Sequence, residues 1–146
     1  MSGHPTTIAA MLERARERIE RLEPADALAA QARGALLIDT RAGETRAVLG
    51  AIPGAVHVPL SVLYWRLDPT SEWHDPRLSD VDRQVIVFCS HGFSSSLAAA
   101  TLRDLGFTRA ADIAGGFEAW VAAGLPVTPA SAASAGMPIE AAGPST

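Results

Sequence analysis

Val85-Ile86-Val87-Phe88-Cys89-Ser90-His91-Gly92-Phe93-Ser94-Ser95-Ser96 is the stretch that decides the fold. Val85 to Phe88 is an uninterrupted apolar run of strand length, which reads as a strand buried on both faces. It ends on a cysteine. A short polar loop, Ser90 to Ser94, leads into a helix from Ser95 or Ser96 to Leu105. Ala98, Ala99, Leu102 and Leu105 mark the packing face of that helix, and Gly106 stops it. A strand buried on both faces and followed at once by a helix is half of a βαβ unit.

Outward from this centre the pattern repeats. Leu36-Leu37-Ile38-Asp39 reads as a second short buried strand, and Thr40 to Gly50 holds a helical turn or two. Ala51-Ile52-Pro53-Gly54-Ala55 is a turn leading into a third strand, Val56-His57-Val58. Ser61 to Arg66 reads as a helix opening at a serine cap, and Asp68 to Asp82 as mostly loop. Ala111-Asp112-Ile113 is a further strand, Gly115-Gly116 a turn, and Phe117 to Ala123 a closing helix. On the N-terminal side Ile8, Met11, Leu12, Ala15, Ile19 and Leu22 recur at helical spacing, which predicts a helix capped by Thr6 or Thr7 and running to about Leu22. Pro24 to Ala32 is a second helix with proline in its first turn, ended by Gly34. The expected class is α/β, a three-layer sandwich with a mainly parallel central sheet and helices on both faces. The expected organisation is a helical extension over residues 1–23, a domain over 24–128 and a disordered Ala/Ser/Gly/Pro tail over 129–146.

Composition narrows the chemistry. The chain has 146 residues, 48% of them hydrophobic and 19% charged, enough to bury a core in one domain. One cysteine excludes an intrachain disulfide, a CxxC pair and a cysteine-rich zinc site. A net charge of −4 argues against nonspecific nucleic-acid binding. All 12 basic residues are arginine, so Schiff-base chemistry and a phosphate-loop lysine are also excluded. The early residues lack the pattern of a signal peptide, and no apolar run spans a bilayer, so a cytoplasmic protein without membrane association is expected.

Cys89 is the candidate nucleophile. Sites in parallel α/β sheets form beyond the carboxyl ends of strands. A helix starting near Ser95 directs its free amides and its positive dipole end at the loop, which favours the thiolate. Gly92 lets the backbone turn its amides inward around an anion. The same residues also fit an inert cysteine buried at a strand end, and geometry alone leaves both readings open.

Four segments taken together resemble the single-domain rhodaneses. Cys89-x-x-Gly92-x-x-Ser95, followed by Ala98-Ala99, Leu102 and Gly106-Phe107, looks like that family's active-site loop and helix. Leu37-Ile38-Asp39-Thr40-Arg41 looks like its Asp-x-Arg strand end. Ile52-Pro53-Gly54-Ala55-Val56-His57-Val58-Pro59 and Gly115-Gly116-Phe117-Glu118-Ala119-Trp120 look like its turn and closing segments. The resemblance covers roughly residues 20 to 128 and implies a sulfurtransferase without a cofactor. In that mechanism Cys89 takes sulfur from a donor such as thiosulfate or a persulfide. It holds the sulfur as a persulfide and passes it to a thiol, cyanide or a protein acceptor. Ser90, His91, Gly92, Phe93, Ser94 and Ser95 would bind substrate, with Asp39 and Arg41 in support.

Two departures qualify this expectation. Ser94 and Ser90 stand where basic residues are common in the family, so the loop carries no permanent cation. It must hold an anion with its amides, the helix dipole and His91, which puts efficient thiosulfate turnover in doubt. Gly50-Ala51 precedes Ile52 where Gly-His is usual. The alternative function is a non-catalytic or relay module of the same fold, which accepts persulfide from a partner protein and passes it on, or only docks on that partner. A cysteine phosphatase, found in related folds, is disfavoured because no loop arginine can clamp a phosphate. Arg41 either guards the pocket mouth or pairs with Asp39, and the pair is preferred. Arg66 and Asp68 either line the rim or simply end a helix. His57 and Trp120 are read as structural, and the histidines lack metal-ligand spacing.

Overall fold

The computed structural model describes residues 5–130. The tail expected to be disordered therefore lies, from residue 131 onward, outside the described residues. Five strands form one sheet in the order β1-β5-β4-β2-β3, and every pairing is parallel. The strands are β1 (Glu20–Leu22), β2 (Leu36–Asp39), β3 (Val56–His57), β4 (Val85–Phe88) and β5 (Ala110–Ile113). The helices are α1 (Ile8–Glu17), α2 (Pro24–Ala32), α3 (Gly43–Leu49), α4 (Leu63–Leu67), α5 (Ser94–Asp104) and α6 (Gly116–Ala122). β4 is central, flanked by β5 and β2, so the decisive strand sits at the middle of the sheet.

Alternation along the strands splits the core into two layers. Val85 and Val87 pack with Ile38, Leu63, Leu67, Ala98, Ala99, Leu102 and Phe107, on the face covered by α4 and α5. Ile86 and Phe88 pack with Leu37, Ala27, Ala30, Phe117 and Trp120, on the face covered by α2 and α6. This explains the lack of any polar residue in β4: both of its faces are inside. Trp120 is fully buried and donates its indole N–H to the Pro126 carbonyl at 2.8 Å, a structural role.

Two expectations are corrected. The N-terminal helix ends at Glu17, and Glu20–Leu22 forms a strand rather than the last helical turn. Thr7 does cap α1, accepting from the Ala10 amide at 3.1 Å. Leu22 keeps the helical spacing of the apolar residues, but parallel pairing with β5 satisfies its backbone and buries it. The helix after β3 starts at Leu63 with Val62 at its cap position, and Ser61 does not cap it.

Candidate active site

Cys89 follows β4 immediately, at the carboxyl end of the sheet, and is largely buried. Its loop is held by two helix starts. The first is α5, which begins at Ser94 with Phe93 as its cap residue. The second is α6, whose Phe117 amide donates to the Cys89 carbonyl at 2.8 Å and whose Glu118 amide donates to the Ser90 carbonyl at 3.0 Å. Gly116 makes this approach possible. A Cβ there would sit 2.5 Å from the Cys89 carbonyl oxygen, and the residue has φ +65. The Gly115-Gly116 pair is thus a docking point for the cysteine loop as well as a turn.

The Gly92 amide donates to Cys89 Sγ at 3.2 Å. Gly92 itself has φ +86, and a Cβ would meet the Gly115 nitrogen at 2.8 Å. Burial pushes the Cys89 thiol up, but hydrogen bonds from the Ser95 and Ser94 hydroxyls and the Ser95 and Gly92 amides outweigh it. The thiol therefore sits below its ordinary range. A pocket of about 360 Å³ opens over the sulfur, lined by Thr40, Arg41, Ala42, Cys89, Ser90, His91, Phe93 and Ser94. The expected binding residues Ser90, His91, Phe93 and Ser94 thus meet Cys89 in one pocket, with Gly92 and Ser95 beneath it. Phe93 is 62% exposed. The His91 ring is 3.5 Å from the Glu118 carboxylate, at an exposed position.

Arg41 lines this pocket and is also locked to Asp39. Its Nε donates to Oδ1 at 3.0 Å and its Nη2 to Oδ2 at 2.7 Å, with a further bond from Nη2 to the Gly50 carbonyl at 2.7 Å. Arg46 donates to the same carboxylate at 3.0 Å. The guanidinium carbon lies 3.9 Å from the centre of the Phe117 ring, a cation–π contact, and Nη1 is the Arg41 nitrogen that makes no hydrogen bond. His57 Nε2 lies 2.8 Å from the Arg41 carbonyl, which ties β3 to this cluster. Arg66 is buried away from the pocket and donates to the Trp73 carbonyl at 3.1 Å, securing the long loop.

A second polar cluster lies behind the loop, and the sequence reading missed it. Asp112 of β5 is fully buried. It accepts from the Ser95 hydroxyl at 2.9 Å, the Ser96 hydroxyl at 2.8 Å and Arg21 Nε at 3.0 Å. A carboxylate in the middle of a buried strand, between Ala111 and Ile113, was the available signal, since such a charge needs a partner. The identity of that partner, on a strand 91 residues away, carried no local signal. Arg16 and Arg21 both reach the Gly92 carbonyl, at 2.8 and 3.1 Å. The loop itself lacks a cation, as its sequence indicates, but the N-terminal segment brings two guanidiniums to its back.

The family model described as Rhodanese-like domain matches residues 23–123. A thiosulfate sulfurtransferase GlpE of Pseudomonas entomophila is 40% identical over 101 residues, which is 69% of this chain and 84% of that protein. A solved Rhodopseudomonas palustris protein of unknown function, described as a possible tyrosine phosphatase, is 36% identical with TM-score 0.77. It covers 86% of this chain and 99% of its own. The polysulfide-sulfur transferase of Wolinella succinogenes, described as a homodimer, is 27% identical with TM-score 0.61, over 81% of this chain and 84% of its own. The cysteine at the sheet's carboxyl end, the two helix starts around it and these likenesses agree: the chain belongs to the rhodanese-like family and is a sulfurtransferase of that type.

Proposed function

We propose that this sulfurtransferase carries sulfane sulfur on Cys89, from a small anionic donor such as thiosulfate to a nucleophilic acceptor. The Cys89 thiolate attacks the outer sulfur of the donor, and a new S–S bond forms. The donor's own S–S bond breaks, and sulfite leaves with the electron pair. The acceptor, cyanide or a thiolate, then attacks the terminal sulfur of the persulfide and releases the thiolate again. Each half is an easier step than direct transfer, and the loop's amides stabilise the charge in both.

The observation that carries this reading is the lowered Cys89 thiol at the floor of a small pocket ringed by amide and hydroxyl donors. A lone reactive thiol must stay free between turnovers, which suits a reducing compartment. The test is steady-state kinetics with thiosulfate and cyanide. Parallel lines in double-reciprocal plots and loss of thiocyanate formation in Cys89→Ser are expected. Full activity in Cys89→Ser overturns the proposal.

A relay reading differs only in the donor. The name of the Wolinella relative brings polysulfide into consideration, and a persulfide-bearing partner is the other source. Loading from these donors but not from thiosulfate favours relay. The phosphatase description of the Rhodopseudomonas protein is a reading we disfavour here, because Ser90 to Ser95 include no arginine for bidentate phosphate binding. Release of phosphate from an aryl phosphate, dependent on Cys89, would reverse that preference.

A further inference from the structure

Gly92 has the freedom to turn its carbonyl either way, because no side chain restricts it. Two guanidiniums converge on that oxygen, Arg16 Nη2 from α1 at 2.8 Å and Arg21 Nη2 from β1 at 3.1 Å, with the Ser96 hydroxyl at a longer 3.3 Å. The peptide bonds of the chain are all trans among the described residues, so the N–H of Phe93 points to the opposite side from the clamped carbonyl. Phe93 also lines the pocket over Cys89. Holding the carbonyl back therefore fixes the direction of the next amide.

The same two residues set the charge behind the loop. Arg21 pairs with the buried Asp112 carboxylate, and Arg16 Nε donates to the Ser96 hydroxyl at 3.0 Å, which in turn donates to Asp112. Two guanidiniums against one carboxylate leave one positive charge on this side. Without Arg21 a buried anion would stand behind the thiolate and oppose it. Across the pocket Arg41 and Arg46 share the Asp39 carboxylate, and at the surface the His91 ring lies 3.5 Å from the Glu118 carboxylate. Both arginines precede residues 23–123, the extent of the family match, so the clamp belongs to the part of this chain that the family model leaves out.

We propose that Arg16 and Arg21 are positioning residues of the sulfur-transfer loop. They clamp the Gly92 carbonyl so that the loop amides face the Cys89 sulfur and the incoming anion, and they supply from behind the positive charge that the loop sequence lacks. The donor part of this inference rests on the sulfurtransferase reading above, whereas the thiol part does not.

The test uses the full chain with Arg16→Gln, Arg21→Gln and the two Arg→Lys variants. Two readouts are taken, the pH profile of Cys89 alkylation by iodoacetamide and the thiosulfate dependence of sulfur loading. Each Gln variant is expected to raise the alkylation midpoint by about half to one pH unit. Each is also expected to raise the half-saturating thiosulfate concentration roughly tenfold, since a hydrogen bond from a charged donor is lost. The Lys variants recover the midpoint, because the charge returns, but only part of the saturation, because the fork geometry does not. Gln variants that fold and keep both quantities within about twofold of the parent overturn the proposal. If Arg21→Gln fails to fold because Asp112 is left unpaired, Arg21→Gln/Asp112→Asn removes both charges, and a raised half-saturation is expected there. Parent-like behaviour in that double variant and in Arg16→Gln overturns it equally. Alkylation needs no sulfur donor, so a parent protein that loads no sulfur would refute the sulfurtransferase reading while leaving the clamp testable.

Discussion

Two buried aspartates flank the central strand, and they are held in opposite ways. Asp39 ends β2 on one side of β4, and Asp112 lies in β5 on the other. Both are fully buried and both are paired with arginine. Asp39 faces the α6 side, and its partners Arg41 and Arg46 are two and seven residues on in the chain. Asp112 faces the α5 side, and its partner Arg21 sits opposite it on β1, the edge strand paired with β5 but 91 residues away in the chain. The first cluster is closed off: the Arg41 side chain is about 1% exposed. The second stays open, with the Arg21 side chain 25% exposed. A local, sealed pair makes a rigid wall for the pocket. A long-range, half-open pair ties the cysteine loop to the N-terminal segment, so the geometry of that loop depends on a piece of chain remote in sequence.

The largest predicted effect tests this contrast directly. Asp39→Ala leaves two buried guanidiniums without their carboxylate and is expected to cost about 3–5 kcal/mol in urea unfolding. Asp112→Ala is expected to cost less, about 1–3 kcal/mol, because Arg21 can turn to water and only hydroxyl partners are stranded. Equal costs, or the reverse order, would break the comparison.

Next in size is the effect of Ser95 on chemistry. Its hydroxyl donates to Asp112 at 2.9 Å in this structure, and turned toward the Cys89 sulfur it holds the thiol down. Ser95→Ala is expected to slow sulfur loading at neutral pH roughly tenfold, with little change in the loading rate at high pH, where the thiol ionises anyway. Equal slowing at all pH values would show that the hydroxyl acts on something other than ionisation.

The smallest effect is on stability against pH. The folded thiol lies below its ordinary value, so the ionised form favours the folded state. That contribution is complete above the ordinary thiol range, near about pH 8.5, and is lost as pH falls through the lowered folded value. The stability of the parent relative to Cys89→Ser should therefore rise with pH across that window and level off above it. A flat difference would mean that the loop does not favour the thiolate.

The same contrast explains what was legible in the sequence. β4, Cys89 and α5 were readable because strand, loop and helix are contiguous and each carries its own pattern. The Asp39–Arg41 pair was readable because the two residues lie within one strand end. β1 was not, since three residues carry no usable alternation and Ile19 and Leu22 continue a helical spacing. The role of Ser61 was misread because Val62, with no capping side chain, occupies the cap position of α4. Residues 90–95 themselves carry no arginine or lysine. The arginines behind that loop were invisible because tertiary pairing, not spacing, brings them there.

Intact mass of the full chain after incubation with thiosulfate tests the central claim most directly. The account predicts a gain of one sulfur atom, lost on adding cyanide and absent in Cys89→Ser. An unchanged mass with thiosulfate, polysulfide and persulfide donors alike, or a sulfur gain that survives Cys89→Ser, would contradict it.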